Sequence, residues 1–512
     1  MCFNRLVYSL SVLCLMAASV ASPAVAQPAT PALDDLELRE NVQQYGITWT
    51  FAEPARVGQF VNGDYYVVGA VTVKAIDPSP RLGAEVGEDE LDPTEKRYTT
   101  QERLKVADRV RNGSMLNPPA RQEVAYDSGV KNWFRPKLAA RLPIQMKPGD
   151  SLVSTISLKV DEKASFVYHS SGVRGHHDNC PIKVAAVLTC MDRPQPSDAF
   201  RPSYCDTSNR VYLARDLRLD LLPKLERIEG APDPVKFAEV FQKPWLNTGF
   251  FGFDQAMENM PHYGQWVGQS VSNAGLLLCM DFTPQQKEKL LINFVQVGID
   301  YWGAVRGGHP GWQGWGGHGS GRKFPIVFAG NMLGDEEMAA PTKAFHKVNF
   351  GEDNQTMYGD CWTGAKVVFA GHSGVHADGT IPRALWGPYE HMHPSQWKNE
   401  GKQKNYQSEA YRRANSSCCW VGEALAMRIL KLEKHWNHDA FFDYVDRWMT
   451  EDDKEFRHEI NKYFPSEALV NEKKSWFHQG NAGDRWVKAA WNKYRPMVDI
   501  PPDGWKKPKG GR

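Results

Sequence analysis

The chain has 512 residues, 61 Lys and Arg against 60 Asp and Glu, and a formal net charge of +1. That balance gives no basic face for a phosphate backbone, so nucleic-acid binding is not expected. No stretch reaches eighteen consecutive apolar residues, which removes a membrane-spanning helix. The length allows two or three domains.

The chain opens with Arg5, an apolar run from Leu6 to Val20, and Ala24-Val25-Ala26. This is the pattern of a secretory signal peptide cut after Ala26, and it predicts a secreted or periplasmic protein. Removing residues 1–26 takes away Arg5 and no acid, so 60 basic and 60 acidic side chains remain. Seven of the nine cysteines also remain. An oxidising compartment permits disulfides, and Cys180 with Cys190 or Cys205 is the local pairing the spacing allows. Cys418 and Cys419 lie in a helical pattern and read as buried.

Residues 27–230 read as an antiparallel β-sandwich-like domain. Ile47-Thr-Trp-Thr-Phe51 alternates, Tyr65 to Ile76 is rich in β-branched and aromatic residues, and similar runs recur at Leu152–Val160, 165–168 and Ile182–Leu188. Between them, 78–125 is charged and turn-rich and reads as an excursion over the surface. Three prolines and a glycine from Pro223 to Pro234 mark a boundary. Residues 235–497 then read as a helical domain, with helices expected at 266–280, 283–299, 324–333, 409–432 and 440–449. Thr283-Pro284 with Gln286 is a capping box with proline at the first helical position. The remainder, 498–512, is a basic tail that reads as a solvated end.

Between two of these helices, Gly307–Lys323 holds eight glycines with Trp312, Trp315, His309, His318, Arg322 and Lys323. Glycine weakens regular elements, so the segment is expected to be a long functional loop exposing its Trp, His and Arg. Other chemistry-bearing residues lie on irregular stretches: His262 and Tyr263 before a helix, the run Trp386, Tyr389, Glu390, His391, and Arg412 near a helix start. Tyr, His and Arg together suit eliminative cleavage of a uronic-acid polysaccharide. Hydrogen bonds to the C6 carboxylate stabilise the charge that develops when the neighbouring proton leaves. Tyr or His removes that proton and returns one to the leaving oxygen. The candidates for these steps are Tyr389 or Tyr263, with His318, His262 or His391 as partner. Arg322 or Arg412 would face the carboxylate, and Trp312, Trp315 and Trp386 would provide flat platforms for sugar rings.

That scheme requires no cofactor. A metal at His372 and His376 is the minority alternative, since a spacing of four would align them on a helix. Hydrolysis by paired carboxylates, with Glu390 and an Asp such as Asp360, is the competing chemistry. A non-catalytic glycan-binding protein is the third reading.

An exported chain with a β-rich part and a helical part joined by aromatic and His-rich loops resembles the (α/α)-toroid carbohydrate-active enzymes. Within that group it is similar to the polysaccharide lyases that use Tyr with His or Asn. The resemblance covers most of residues 35–495 and implies an acidic polysaccharide or oligosaccharide as partner. It also implies a cleft at the inner-helix ends with His318, Arg322, Tyr389 and His391 around it. The order differs, because those lyases often place the β domain after the toroid.

Overall fold

The computed structural model describes residues 28–87, 90, 105–159, 162, 181–246, 248, 255–261, 263–381, 387–397, 405–465 and 478–506. The signal peptide, His262, Trp386, Cys180, the 165–168 run and the end of the basic tail lie outside these residues.

The chain is mixed α+β, with a curled sheet first and helices after it. Eight strands form the sheet: β1 (Glu37–Gln44), β2 (Ile47–Gln59), β3 (Tyr65–Val68), β4 (Val71–Asp77), β5 (Ser114–Leu116), β6 (Ile144–Met146), β7 (Ser151–Ser157) and β8 (Ile182–Met191). Their order is β5-β7-β8-β3-β2-β4-β6, with β1 also on β2. At the start of β2, Ile47, Trp49 and Phe51 are buried while Thr48 and Thr50 are less so, the two-residue period that turns one strand face to the core. β2 carries β1 along one side and, on the other, β4 against its first half and β3 against its second. The sandwich expectation is corrected here. The sheet is one curled half-barrel, and it includes a parallel pair, β3 with β8.

The 78–125 excursion is corrected as well. Val86, Val110, Met115 and Val124 are buried, and Ser114–Leu116 is an edge strand of the sheet. Apolar residues spaced among charged ones are enough to anchor such a segment.

Eight helices of seven or more residues occur among the described residues. They are α1 (Gly264–Cys279), α2 (Pro284–Arg306), α3 (Lys323–Leu333), α4 (Asn405–Tyr411), α5 (Ser417–Ile429), α6 (Asp439–Thr450), α7 (Lys454–Tyr463) and α8 (Arg485–Tyr494). The Thr283 capping box forms as read from the sequence. The helix expected at 409–432 is interrupted, because Arg412–Ser416 between α4 and α5 is a π turn.

Helix α1 packs directly on α5. A Cβ at Gly268 would lie 2.9 Å from Cys419 Sγ, and Ser272 Oγ accepts from the Glu423 amide at 3.0 Å while donating to the Cys419 carbonyl at 2.9 Å. Gly275 faces Ala426 and Phe324. Contacts therefore advance in the same direction along α1 and α5, so these two helices run parallel. The six described cysteines are buried free thiols.

Sheet and helices share one core. Phe134, Val153 and Val187 join the same apolar cluster as Phe294, Trp420 and Trp505. Arg201 adds a polar tie, its buried guanidinium reaching Asp64 Oδ2 at 2.5 Å and both oxygens of Asp300 on α2 at 3.0 and 2.6 Å. Among the described residues no helix is long and apolar enough to cross a membrane.

Candidate functional site

The glycine-rich segment folds back into the protein. Gly311–Trp312 pairs with Asn349–Phe350, and Trp312 is buried, stacked on His309 at 4.5 Å and on Phe350 at 6.0 Å. Lys323 is buried against Asp353. Arg322 is also buried, and its Nη1 donates to the carbonyls of His318 at 2.9 Å and Ser320 at 2.5 Å. The expectation of an exposed Trp, His and Arg is thus corrected for Trp312, His309 and Arg322. Aromatic stacking and carbonyl contacts cover them, and glycine content alone does not report such cover. Trp315 and His318 remain half-buried.

His309 accepts from the Gly311 amide at 3.0 Å and contacts the Thr248 carbonyl at 3.1 Å. Burial, opposed by the Thr248 contact, holds its imidazole down at about 4. An unfolded histidine binds a proton near 6.5, so the unfolded chain holds more protons between these values. The stabilisation from neutral His309 is complete above about 6.5 and is lost as pH falls toward 4, with a slope up to about 1.4 kcal/mol per pH unit. His309→Asn keeps an acceptor for Gly311, and is expected to flatten the fall in melting temperature across that window. An unchanged fall would reject this role.

The second half of the segment meets α1 and the π turn. Tyr263 caps α1 in an extended conformation. The next residue must be small, since a Cβ at Gly264 would collide with the carbonyls of Gly317 and His318. Tyr263 Oη donates to the Gly316 carbonyl at 2.5 Å and accepts from Asn415 Nδ2 at 2.8 Å. The His318 ring packs edge-on against Tyr263, with centroids 4.4 Å apart. Gly316 has φ +66°, and a Cβ there would meet Tyr411 at 2.5 Å and His372 Nε2 at 2.7 Å. His372 in turn packs edge-on against Tyr411 at 4.5 Å, and Gln265 Nε2 donates to the Ala414 carbonyl at 2.8 Å.

Three distant stretches, 263–266, 315–318 and 411–415, therefore meet at one place. Tyr263 is largely buried, whereas Gln265, Trp266, Trp315, His318, Tyr411 and Asn415 are half-buried and form the side open to solvent. Burial raises the Tyr263 phenol above its usual value, partly opposed by the Asn415 hydrogen bond. The N-termini of α1 and α3 abut the cluster and carry partial positive charge, and the Arg322 guanidinium lies on the same loop.

Asn415 is the residue that sequence reasoning missed. It lies inside a helical pattern, and only the π turn presents it sideways. Single-turn π segments recur at functional sites, but nothing in Arg-Arg-Ala-Asn-Ser announces one.

The other half of the expected site sits elsewhere. Tyr389, Glu390 and Arg412 are fully buried. Tyr389 Oη donates to Glu409 Oε2 at 2.5 Å. Arg412 makes paired bonds to Glu409 at 2.8 and 2.8 Å. Glu390 accepts from both terminal nitrogens of Arg447 at 2.9 and 3.0 Å and from the Phe369 amide at 2.5 Å. These three side chains belong to an ion-pair network behind the cluster, and ionic groups withdrawn from water need such mutual satisfaction. His391 is exposed at the surface and is not part of the network. His372 and His376 do not share a helix face, because 371–380 is irregular with left-handed glycines at Gly371, Gly374 and Gly379. Among the described residues no group of three or more His, Cys, Asp or Glu is arranged to hold a metal ion.

No protein-family model, curated protein or solved structure matches the chain.

Proposed function

We propose that the protein is an exported polysaccharide lyase that cleaves a uronic-acid-containing chain by β-elimination at the Tyr263–His318–Asn415 cluster. The observation that carries this reading is the convergence of a phenol, an imidazole and a primary amide on one half-open surface beside two helix N-termini. Asn415, which donates through Nδ2, is suited to hydrogen-bond the substrate carboxylate as it gains enolate character. His318 is the base that takes the proton next to that carboxylate, since an imidazole exchanges protons near neutral pH. Tyr263, kept protonated by burial, supplies a proton to the leaving oxygen. Trp315 and Trp266 offer aromatic surface at the rim for sugar rings. Arg322 acts through the loop it holds, fixing the backbone that carries His318. The hydrolytic alternative is less well supported, because Glu390 is engaged by Arg447 on both oxygens.

Incubation with a panel of uronate and neutral glycans tests the reaction class. New ultraviolet absorbance from an unsaturated uronate is the expected result. Reducing ends without that absorbance would establish hydrolysis, and retention without cleavage would establish a binding protein.

A further inference from the structure

Two acids are buried behind the loop that carries His318. Glu352, on the short helix Gly351–Gln355, and Glu423, on α5, are both 0% exposed. Glu352 Oε1 accepts from the Gly321 amide at 2.5 Å. Gly321 has φ +83°, and a Cβ there would lie 2.6 Å from the Gly268 nitrogen on α1. Glu352 therefore fixes the loop where it crosses α1, three residues after His318. One residue earlier, Ser320 Oγ accepts from Trp420 Nε1 at 3.0 Å.

Among the described residues no neighbouring donor reaches either carboxyl oxygen of Glu423 or Oε2 of Glu352. Buried acceptors are nearly always satisfied. These two carboxyls can satisfy each other, because they are in hydrogen-bond contact. That contact needs a proton, since two carboxylates offer no donor. With Glu423 protonated, its hydroxyl donates to Glu352. The charged and titratable groups acting on the pair are Lys323 from α3, Asp353 from the short helix and Cys419 from α5. Lys323 is already paired with Asp353, which brings a further negative charge close by. Burial pushes the Glu352 carboxyl up to about 7 against the opposing Gly321 hydrogen bond. Burial raises Glu423 well above the usual carboxylate range, and the charges of Glu352 and Asp353 add to it.

We propose that Glu352 and Glu423 hold a shared proton and form an alkali-sensitive latch on the loop that carries His318. Opening of the loop admits water, and the two carboxyls then ionise near their unfolded value of about 4.5. The stabilisation is fully present below that value and is lost as pH rises through about 7 and beyond. Each proton released on opening makes opening about tenfold easier per pH unit. The proposal stands whether or not the Tyr263 cluster is a lyase site.

Hydrogen exchange of the Ser320–Lys323 amides in the full chain tests it, read as protection over the intrinsic exchange rate. Between about pH 7 and 8.5, wild-type protection is expected to fall about tenfold per pH unit. Glu423→Gln, whose amide donates to Glu352 without titrating, is expected to flatten that fall. Glu352→Gln keeps an acceptor for Gly321 and gives Glu423 a donor. It is expected to flatten the fall too, and it decides the comparison if Glu423→Gln fails to fold. Infrared spectra near neutral pH are expected to show a protonated carboxyl in the folded wild type, with that band lost in Glu423→Gln. The proposal is overturned if wild-type protection is flat across the window, if a folded variant falls as steeply as the wild type, or if the wild type shows no protonated carboxyl.

Discussion

Replacing Tyr263 by Phe is expected to slow uronate cleavage by about a hundredfold to ten-thousandfold, the usual contribution of a positioned acid or base. The change removes one oxygen and keeps the ring against His318 and Trp266, whose centroids lie 4.4 and 6.0 Å away. Melting temperature is therefore expected to change far less than rate. The comparison that gives the result meaning is Tyr389→Phe. Tyr389 is an equally reasonable base from sequence, but its hydroxyl is spent on Glu409 in the interior. That variant is expected to lose stability and retain most of its turnover per folded molecule. Steady-state rates and thermal melts on both variants check this, and the reverse pattern would move the reaction to the Tyr389 side.

The second large effect is on stability. Glu409 is fully buried and accepts from Tyr389, Arg412 and Arg413. Burial pushes its carboxyl upward, but the guanidiniums of Arg412 and Arg413 outweigh this and hold it at about 2. Glu409→Ala leaves two guanidiniums without their shared partner, and is expected to cost about 3–5 kcal/mol, the usual penalty for breaking a buried pair from one side. Denaturant unfolding measures it, and a loss under about 1 kcal/mol, the scale of a surface pair, would show that the network is not needed. The sign of the pH effect follows from the depressed carboxyl. Its stabilisation is present above the unfolded value near 4.5 and is lost as pH falls through that value toward 2. Because Arg412 opens the π turn that presents Asn415, Glu409→Ala is also expected to reduce activity.

Much of the fold was legible in the sequence. The alternation at Ile47–Phe51 and the β-branched runs placed the strands, and Thr283-Pro284-Gln286 marked the start of α2 within one residue. The full extent of the curled sheet was not legible, because short edge strands such as Ser114–Leu116 gain their identity from partners far along the chain. The candidate site was half legible. Tyr263 and His318 stood out as candidates beside Gly-rich turns, and their contact required a tertiary fold to bring 263 to 318. Asn415 was hidden by the helical pattern around it. Tyr389, Glu390 and Arg412 were misplaced for a definite reason. An irregular segment has no period, so its sequence does not say which side chains face inward, and here Glu409 and Arg447 drew them into the core.

The expectation for Gly307–Lys323 changes in the same way. Its glycines serve close approach, as at Gly316 under Tyr411 and His372, and only its Trp315–His318 half reaches the candidate site. The most direct test is a crystal structure of the Tyr263→Phe protein with an uncleaved uronate oligosaccharide. The expected result places the sugar carboxylate within hydrogen-bond distance of Asn415 and its C5 hydrogen beside His318. A uronate held away from both residues, with this surface empty, would contradict it.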